Sequence, residues 1–554
     1  MRNYHFIAAS RIIVGSIVAA PLTSVMTSSA LAQSNGGSPL IVDRQRIDRS
    51  PPTTPTLLDR KVRKARQSDK QPIAAAEFPI AQVVVTGATS IADTATLVQP
   101  FVGRQSSVAV LTDLARAIAA VYPKYDVAFY TVEITGLDAT ARRVTVSAQE
   151  AYVTDIVIKG DVGRSWERKV RRILAPLLSE KPLRRSAYER ALVRISNIEG
   201  LAVEASMRAS DTTGGIALDI QLKRRGPSLT VGFHNYGSAL IGADTLEASA
   251  RYAGLVTAGD EATLYYSSPT NFHRSHYVSA SYALPLGDDG TILQVSGGWL
   301  RTKLFYDLLR GRATQGAVTV SRPLLQRFGR TVTGAVGFDF INLDNALLGY
   351  RLTDDRTRTV RASLRYAEES AAHRLDAEIS ASQGIAALGA RSIMPLAQPG
   401  FSKLNLRVDY TRQVATRVLV RLKTMAQLTG ARLPAAEQIA VGGSDFGRGL
   451  SAGLIAGDHG IAALGEIAFV PAMPHLLNGT EFYGFIDGAS LRYVNRGPYE
   501  GYTYRAGSVG AGLRLRLNDR TGVDLGGAAV VRAPYPAFTD KWRLFVTARV
   551  KIGN

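Results

Sequence analysis

The chain has 554 residues, no cysteine and a formal charge of +20, from 66 basic and 46 acidic side chains. Its length exceeds one ordinary domain, and the lack of cysteine excludes a disulfide framework or a thiolate metal site. The positive charge is spread over short alternating segments rather than gathered in the patch or helix of a nucleic-acid binder, so no nucleic-acid partner is expected.

Arg2 and Arg11 precede the apolar run Ile12–Ala20, and Ala30, Leu31 and Ala32 form an A-x-A cleavage site before Gln33. Residues 1–32 therefore read as a signal peptide, because the run is short for a bilayer span. Residues 33–77 are rich in Pro, Ser, Arg and Asp without a sustained apolar period, which predicts a linker. Within it Leu57–Gln67 can form a short basic helix, a candidate plug, or remain a tether.

From Phe78 the pattern changes. Ala81–Gly87 is a strand signal closed by glycine. Leu111–Tyr122 puts Leu111, Leu114, Ala115, Ile118 and Val121 on one helical face, with Ser107 or Thr112 as cap. Strand signals follow at Val127–Ile134 and Arg142–Gln149. The order then repeats: a strand at Val153–Gly160, helices at Trp166–Leu178 and Ser186–Ile198, and strands at Leu201–Ser210 and Gly215–Arg225. Two copies of one order predict tandem α+β modules over 78–150 and 151–226.

Beyond Pro227 there is no convincing amphipathic helix. Trp542–Ile552 alternates strictly, with Trp542, Leu544, Val546, Ala548, Val550 and Ile552 opposite Arg543, Phe545, Thr547, Arg549 and Lys551. Thr359–Tyr366 and Leu404–Thr411 repeat the pattern, with Arg361, Arg365 and Arg407 on the polar side. An unpaired arginine is costly in a sandwich core and well placed facing a wet lumen whose outer wall meets lipid. Mean hydropathy near zero agrees with strands that are half apolar. The alternation thus predicts an all-β transmembrane barrel over 227–554, with lipid outside and a wet, cationic bore. Those 328 residues, at roughly 20 per strand and its connection, make about 16 antiparallel strands.

Three pieces resemble the transporters of two-partner secretion, the haemolysin-activator and filamentous-haemagglutinin exporter family of the outer-membrane assembly superfamily. The two modules resemble its paired POTRA (polypeptide-transport-associated) domains, with Tyr188–Met207 similar to the second domain's long helix and following turn. In Leu229–Gly242, the residues Asn235, Tyr236, Gly237 and Ser238 match a recurrent N-Y-G-S at the barrel opening. Val441–Leu450, followed by AGDHG and Glu466, resembles the long loop that folds back into the lumen, with Gly447, Arg448 and Gly449 at its tip. The partner motif F-x-D-x-G is matched at Phe485 and Asp487, while Ala489 replaces its glycine. A second departure is the ending Val550–Asn554 where related barrels end in an aromatic residue.

The resemblance implies that Arg448 packs against Asp487 on the inner barrel wall. It also implies an outer-membrane pore, its N-terminal domains in the periplasm, that secretes an unfolded partner exoprotein without nucleotide. The expected partners are that exoprotein and outer-membrane lipid, the expected state is monomeric, and neither a cofactor nor enzymatic activity is expected. Other readings of the same residues are an assembly factor that inserts barrels, a passive porin, or solvated sheets of a soluble protein. GGSDFGRG lacks the Lys-Ser/Thr of a phosphate cradle. His273 and His276 have no cysteine or carboxylate set nearby, and no G-x-S-x-G elbow supports a lipase.

Overall fold

Ser107 opens the first long helix by accepting a hydrogen bond from the Val110 N–H at 3.4 Å, and Leu111, Leu114 and Ile118 bury its inner stripe. That helix, α2 (Val108–Ala119), follows strand β1 (Gln82–Thr86) and the single turn α1 (Ala95–Val98), and precedes β2 (Tyr130–Asp138) and β3 (Arg143–Glu150). The three strands form a sheet in the order β1-β3-β2. The second module repeats the plan with β4 (Tyr152–Lys159), α3 (Arg164–Leu174), α4 (Arg185–Ser196), β5 (Leu201–Ala209) and β6 (Gly215–Arg224), in the order β4-β6-β5. The computed structural model describes residues 77–554 apart from 239–240, 305–307, 394–395, 473–478, 498–499, 519 and 554. The signal peptide, nearly all of the linker and the Leu57–Gln67 helix lie outside the described residues.

Two departures from the expected elements have local causes. The helix expected over Trp166–Leu178 passes into a 3-10 turn at Ala175–Ser179, where Pro176 has no N–H to continue the α ladder. Strand β2 starts at Tyr130 rather than Val127 because the preceding residues bond to the second module. The Ala128 N–H donates to Leu183 O at 2.8 Å and Val127 bridges Arg184. Asp126 then caps α4, its Oδ1 accepting from the Ser186 N–H at 2.8 Å.

The chain divides at Arg224/Arg225 into the module unit and a barrel unit. The barrel begins with β7 (Ser228–His234), β8 (Thr245–Ala253), β9 (Glu261–Pro269), β10 (Ser275–Leu286) and β11 (Thr291–Leu304). Its longest strands follow: β12 (Leu309–Arg327), β13 (Arg330–Leu347) and β14 (Tyr350–Glu369). Next come β15 (His373–Gly384), β16 (Ser402–Ala415) and β17 (Val418–Leu428), then a small hairpin of β18 (Ile439–Val441) and β19 (Ile455–Gly457). The wall resumes with β20 (His459–Phe469), β21 (Glu481–Tyr493), β22 (Tyr502–Asn518), β23 (Thr521–Arg532) and β24 (Trp542–Gly553). Without the hairpin these are 16 strands, and β24 pairs antiparallel with β7 to close the barrel.

The alternation seen in the sequence decides which way each side chain points. On β24, Trp542 is 69% exposed on the outside and Phe545 1% exposed on the inside. Val360, Leu364, Leu404 and Leu406 also face outward, whereas Arg361 and Arg365 are buried. Those inner arginines are not an open cationic lining. Arg361 binds Asp339 at 2.6 Å and Glu437 at 2.8 Å, and Arg365 pairs with Asp376. Both guanidiniums have carboxylate partners, which offset their desolvation.

Candidate functional site

The β17–β20 connection turns back into the barrel and packs on the inner faces of β20 to β24. Ile439, Val441, Phe446, Leu450 and Ile455 of this segment join the inward Leu464, Tyr483, Phe485 and Phe545 in one buried apolar cluster. Two glycines make this packing feasible. Gly447 holds φ +68° at the tip, a left-handed conformation that lets the Leu450 N–H return to Gly447 O at 2.8 Å. On β22 a Cβ at Gly510 would lie 2.5 Å from Phe485 Cζ, so only glycine leaves room for that ring.

Arg448, at the tip, is buried. Its backbone N–H donates to Asp487 Oδ2 at 2.9 Å, and the neighbouring Gly449 N–H donates to Ser508 Oγ at 3.2 Å. Ser508 Oγ in turn donates to Asp487 Oδ1. Asp487 therefore fixes the loop backbone. The Arg448 guanidinium goes elsewhere: to Glu466 Oε2 at 3.0 Å and Ser444 O at 3.0 Å, with its carbon 4.5 Å from the Phe485 ring centre. The structure thus brings Arg448, Phe485 and Asp487 together, but the side-chain ion pair runs to Glu466 rather than to Asp487.

Glu466 is the hub of a larger network. It also accepts from Arg421 at 2.9 Å and from Arg514 at 2.6 and 2.7 Å. Glu481 shares Arg421 and Arg514 at 2.8 and 3.1 Å, and Asp524 lies 3.3 Å from Arg514 Nε. The Tyr483 ring is stacked 3.9 Å from the Arg514 carbon and its hydroxyl donates to Asp524 at 2.6 Å. Three guanidiniums on three carboxylates in a confined space make charge-assisted bonds that set geometry.

The N-Y-G-S segment lies at the junction of the first and last strands. Asn235 adds a rung to it, Nδ2 donating to Leu544 O at 3.1 Å and Oδ1 accepting from the Val546 N–H at 2.9 Å. Tyr236 stacks on Phe545 with ring centres 5.1 Å apart. Gly237 closes a turn by donating to Ala243 O at 2.9 Å, and the Gly242 N–H donates to Ser238 O at 2.8 Å. Arg543 ties this turn to the hairpin, donating to Leu450 O, Asn235 O and Gly237 O at 2.8, 2.8 and 3.2 Å. All three sequence motifs therefore meet through one buried layer.

A second clasp holds the base of the hairpin. Asp458, fully buried, accepts from the N–H groups of Leu433 and Val494 at 2.9 Å each and pairs with Arg496. Arg496 also donates to Leu396 O and to Leu433 O, so three connections at one barrel end share this pair. Glu437 is held by Lys403 at 2.7 Å beside its bond to Arg361. His273 bonds to Asn271 and His276 to Tyr266, and among the described residues no group of acidic or histidine side chains is placed to hold a metal.

Sequence reasoning had no partner for Glu466 and missed Arg421, Arg514, Arg543, Asp458 and Arg496. A signal existed for Glu466: it is the one charged residue at an inward position of the otherwise apolar strand Gly460–Phe469. The partners come from strands far apart in sequence, and only the closed register brings them together.

A closed 16-stranded barrel with a hairpin docked inside and two small α+β modules before it is the fold of an outer-membrane β-barrel transporter. The family model for the haemolysin secretion/activation proteins ShlB/FhaC/HecB matches residues 214–515, more than half of the chain, and the chain belongs to that family. It is a two-partner secretion transporter. Among solved structures it resembles CdiB from Escherichia coli, at 18% identity and TM-score 0.70 over 92% of this chain and 95% of that one. It also resembles CdiB from Acinetobacter baumannii, at 14% identity and TM-score 0.61 over 87% and 91%. No curated protein matches the sequence.

Proposed function

We propose that the barrel secretes an unfolded partner exoprotein and that the docked hairpin is the element that must yield for it to pass. The observation that carries this reading is the placement of Arg448 in a buried layer that fills part of the bore, in a chain of a secretion family. A translocating chain needs that space, and the hairpin is held against the inner wall by hydrogen bonds, ion pairs and apolar packing alone. The N-terminal modules lie in the periplasm and receive the client by strand addition, because an exposed sheet edge supplies backbone hydrogen bonds with little sequence demand. Strands β2 and β4, at sheet edges, are the candidates. Folding outside removes the unfolded chain from equilibrium and draws export forward without nucleotide.

The first check is whether a neighbouring gene encodes a large, repetitive, β-rich exoprotein, and the experiment is secretion of that protein, assayed in the culture medium. Deletion of the transporter should abolish it, and Arg448→Ala or Asp487→Ala should reduce it while the barrel still reaches the membrane. Equal export by Arg448→Ala and parent strains would refute the role of the loop tip. Unchanged secretion after deletion would favour barrel insertion or passive diffusion instead.

A further inference from the structure

We propose that the lumen wall at the barrel end where β7 begins is a docking surface for an acidic, unfolded stretch of the client. The proposal rests on the export reading above and adds the charge of what is exported.

Strand alternation places the residues. Phe545 is buried on the inner face of β24, so Arg549 and Lys551 face the lumen as well. Lys551 pairs with Thr230 of β7, and Thr230 pairs with Ser249 of β8. Leu229 and Val231, on either side of Thr230, are exposed on the outer wall, so this row is inward. Arg251 follows Ser249 on the same inner face and pairs with Ser228, the first residue of β7, so it lies nearer the end. The β22–β23 turn brings Arg520 beside Lys551, its carbonyl accepting the Lys551 N–H at 2.8 Å. The charged side chains acting on Lys551 are Arg225, Arg251 and Arg520, all of them cations.

This mouth differs from the rest of the bore. Elsewhere Arg361, Arg365, Arg407, Arg421, Arg448 and Arg514 each hold a carboxylate. On β24 itself Arg549 takes Glu247 of β8 at 3.6 Å. Among the described residues, Arg225, Arg251 and Lys551 have no carboxylate partner. Like charges held near one another repel, and a narrow opening with low-dielectric walls focuses their field. Lys551 is exposed and Arg225 and Arg251 are half-buried, so a chain in the opening can reach them. In an exporter the anion that arrives at this mouth belongs to the client, and charge complementarity makes it a stretch rich in Asp or Glu. Separate cations on separate strands ask for charge rather than for a folded shape, which suits an unfolded segment.

The test uses the full chain in phosphatidylcholine nanodiscs, whose zwitterionic surface carries no net charge. Its probes are two fluorescent unfolded peptides, one of repeated Gly-Ser-Asp and one of repeated Gly-Ser-Lys. Fluorescence anisotropy should show the acidic peptide binding at least roughly tenfold more tightly, and ~1 M salt, where the screening length is about 3 Å, should remove the difference. Arg251→Gln combined with Lys551→Gln should weaken the acidic peptide roughly fivefold. Arg168→Gln combined with Lys223→Gln removes the same charge from exposed positions of the second module and should leave binding unchanged. A photo-crosslinking residue at Thr230 should capture the acidic peptide, and one at Val231 should not. Equal binding of the two peptides, equal weakening by the two double variants, or no capture at Thr230 would each overturn the docking surface. The peptides bind without crossing, so any of these results leaves export itself standing, and loss of export is read separately from secretion into the medium.

Discussion

Replacing Glu466 by glutamine isolates the hairpin's side-chain anchor. The carboxylate is 2% exposed and receives bonds from Arg421, Arg448 and Arg514. Glutamine keeps one acceptor but turns an NH₂ donor toward guanidiniums that also donate, and breaking a buried pair costs about 3–5 kcal/mol. Arg421 and Arg514 keep Glu481, whereas Arg448 keeps only Ser444 O and the aromatic faces. The loss at the hairpin is therefore close to one charge-assisted bond, about 1.5–3 kcal/mol, or roughly 10- to 100-fold in the docked-to-undocked ratio. Because the chain has no cysteine, Ala452→Cys, at a small residue buried in the docked segment, is a unique reporter of undocking. Its maleimide labelling rate follows the open population, and Glu466→Gln should raise it roughly 10- to 100-fold. Glu481→Gln, which leaves the Arg448 contact in place, should raise it less. Equal rates for Glu466→Gln and its parent would refute the assignment of Glu466 as the anchor.

Three further outcomes follow from the same geometry. Arg543→Ala removes bonds to Leu450, Asn235 and Gly237, and should speed hydrogen exchange of the Val546 N–H at the strand junction at least tenfold, or about 1.4 kcal/mol. Asp458→Asn breaks the buried pair with Arg496 and should expose the 429–458 and 494–501 connections to protease together, because both bond to that carboxylate. In the modules, burial pushes the Asp126 carboxyl up, but the Ser186 hydroxyl and N–H outweigh it and hold it below the ordinary value. A lowered native pKa stabilises above the unfolded value near ~3.9 and loses that contribution as pH falls through the native one. Asp126→Ala should thus lower the unfolding free energy of the modules at pH 7 by on the order of 1 kcal/mol, and by progressively less as pH falls below the unfolded value, as followed by denaturant unfolding.

The wall of the barrel was legible because period-two alternation is local: Thr359–Tyr366 and Trp542–Ile552 each reveal which side chains face lipid. What those residues could not reveal is pairing. Arg361 looks the same in the sequence whether it faces water or is buried on Asp339 and Glu437. The loop tip was legible from its R-G and the distant F-x-D, and the resemblance implied that Arg448 packs against Asp487. The backbone N–H of Arg448 takes that carboxylate, because the left-handed Gly447 turns the tip so that the guanidinium reaches β20 instead. Strand β2 began late for a similar reason: its first residues bond to a neighbour that local pattern does not contain.

Trapping a client in transit tests the central claim most directly. The partner exoprotein is fused to a fast-folding domain so that it stalls, and a photo-crosslinking residue replaces either Arg407 or Leu406, adjacent positions on opposite faces of β16. The path through the bore predicts client adducts at position 407 and none at 406. Adducts at 406 alone, or at neither position while the client is stalled, would contradict it.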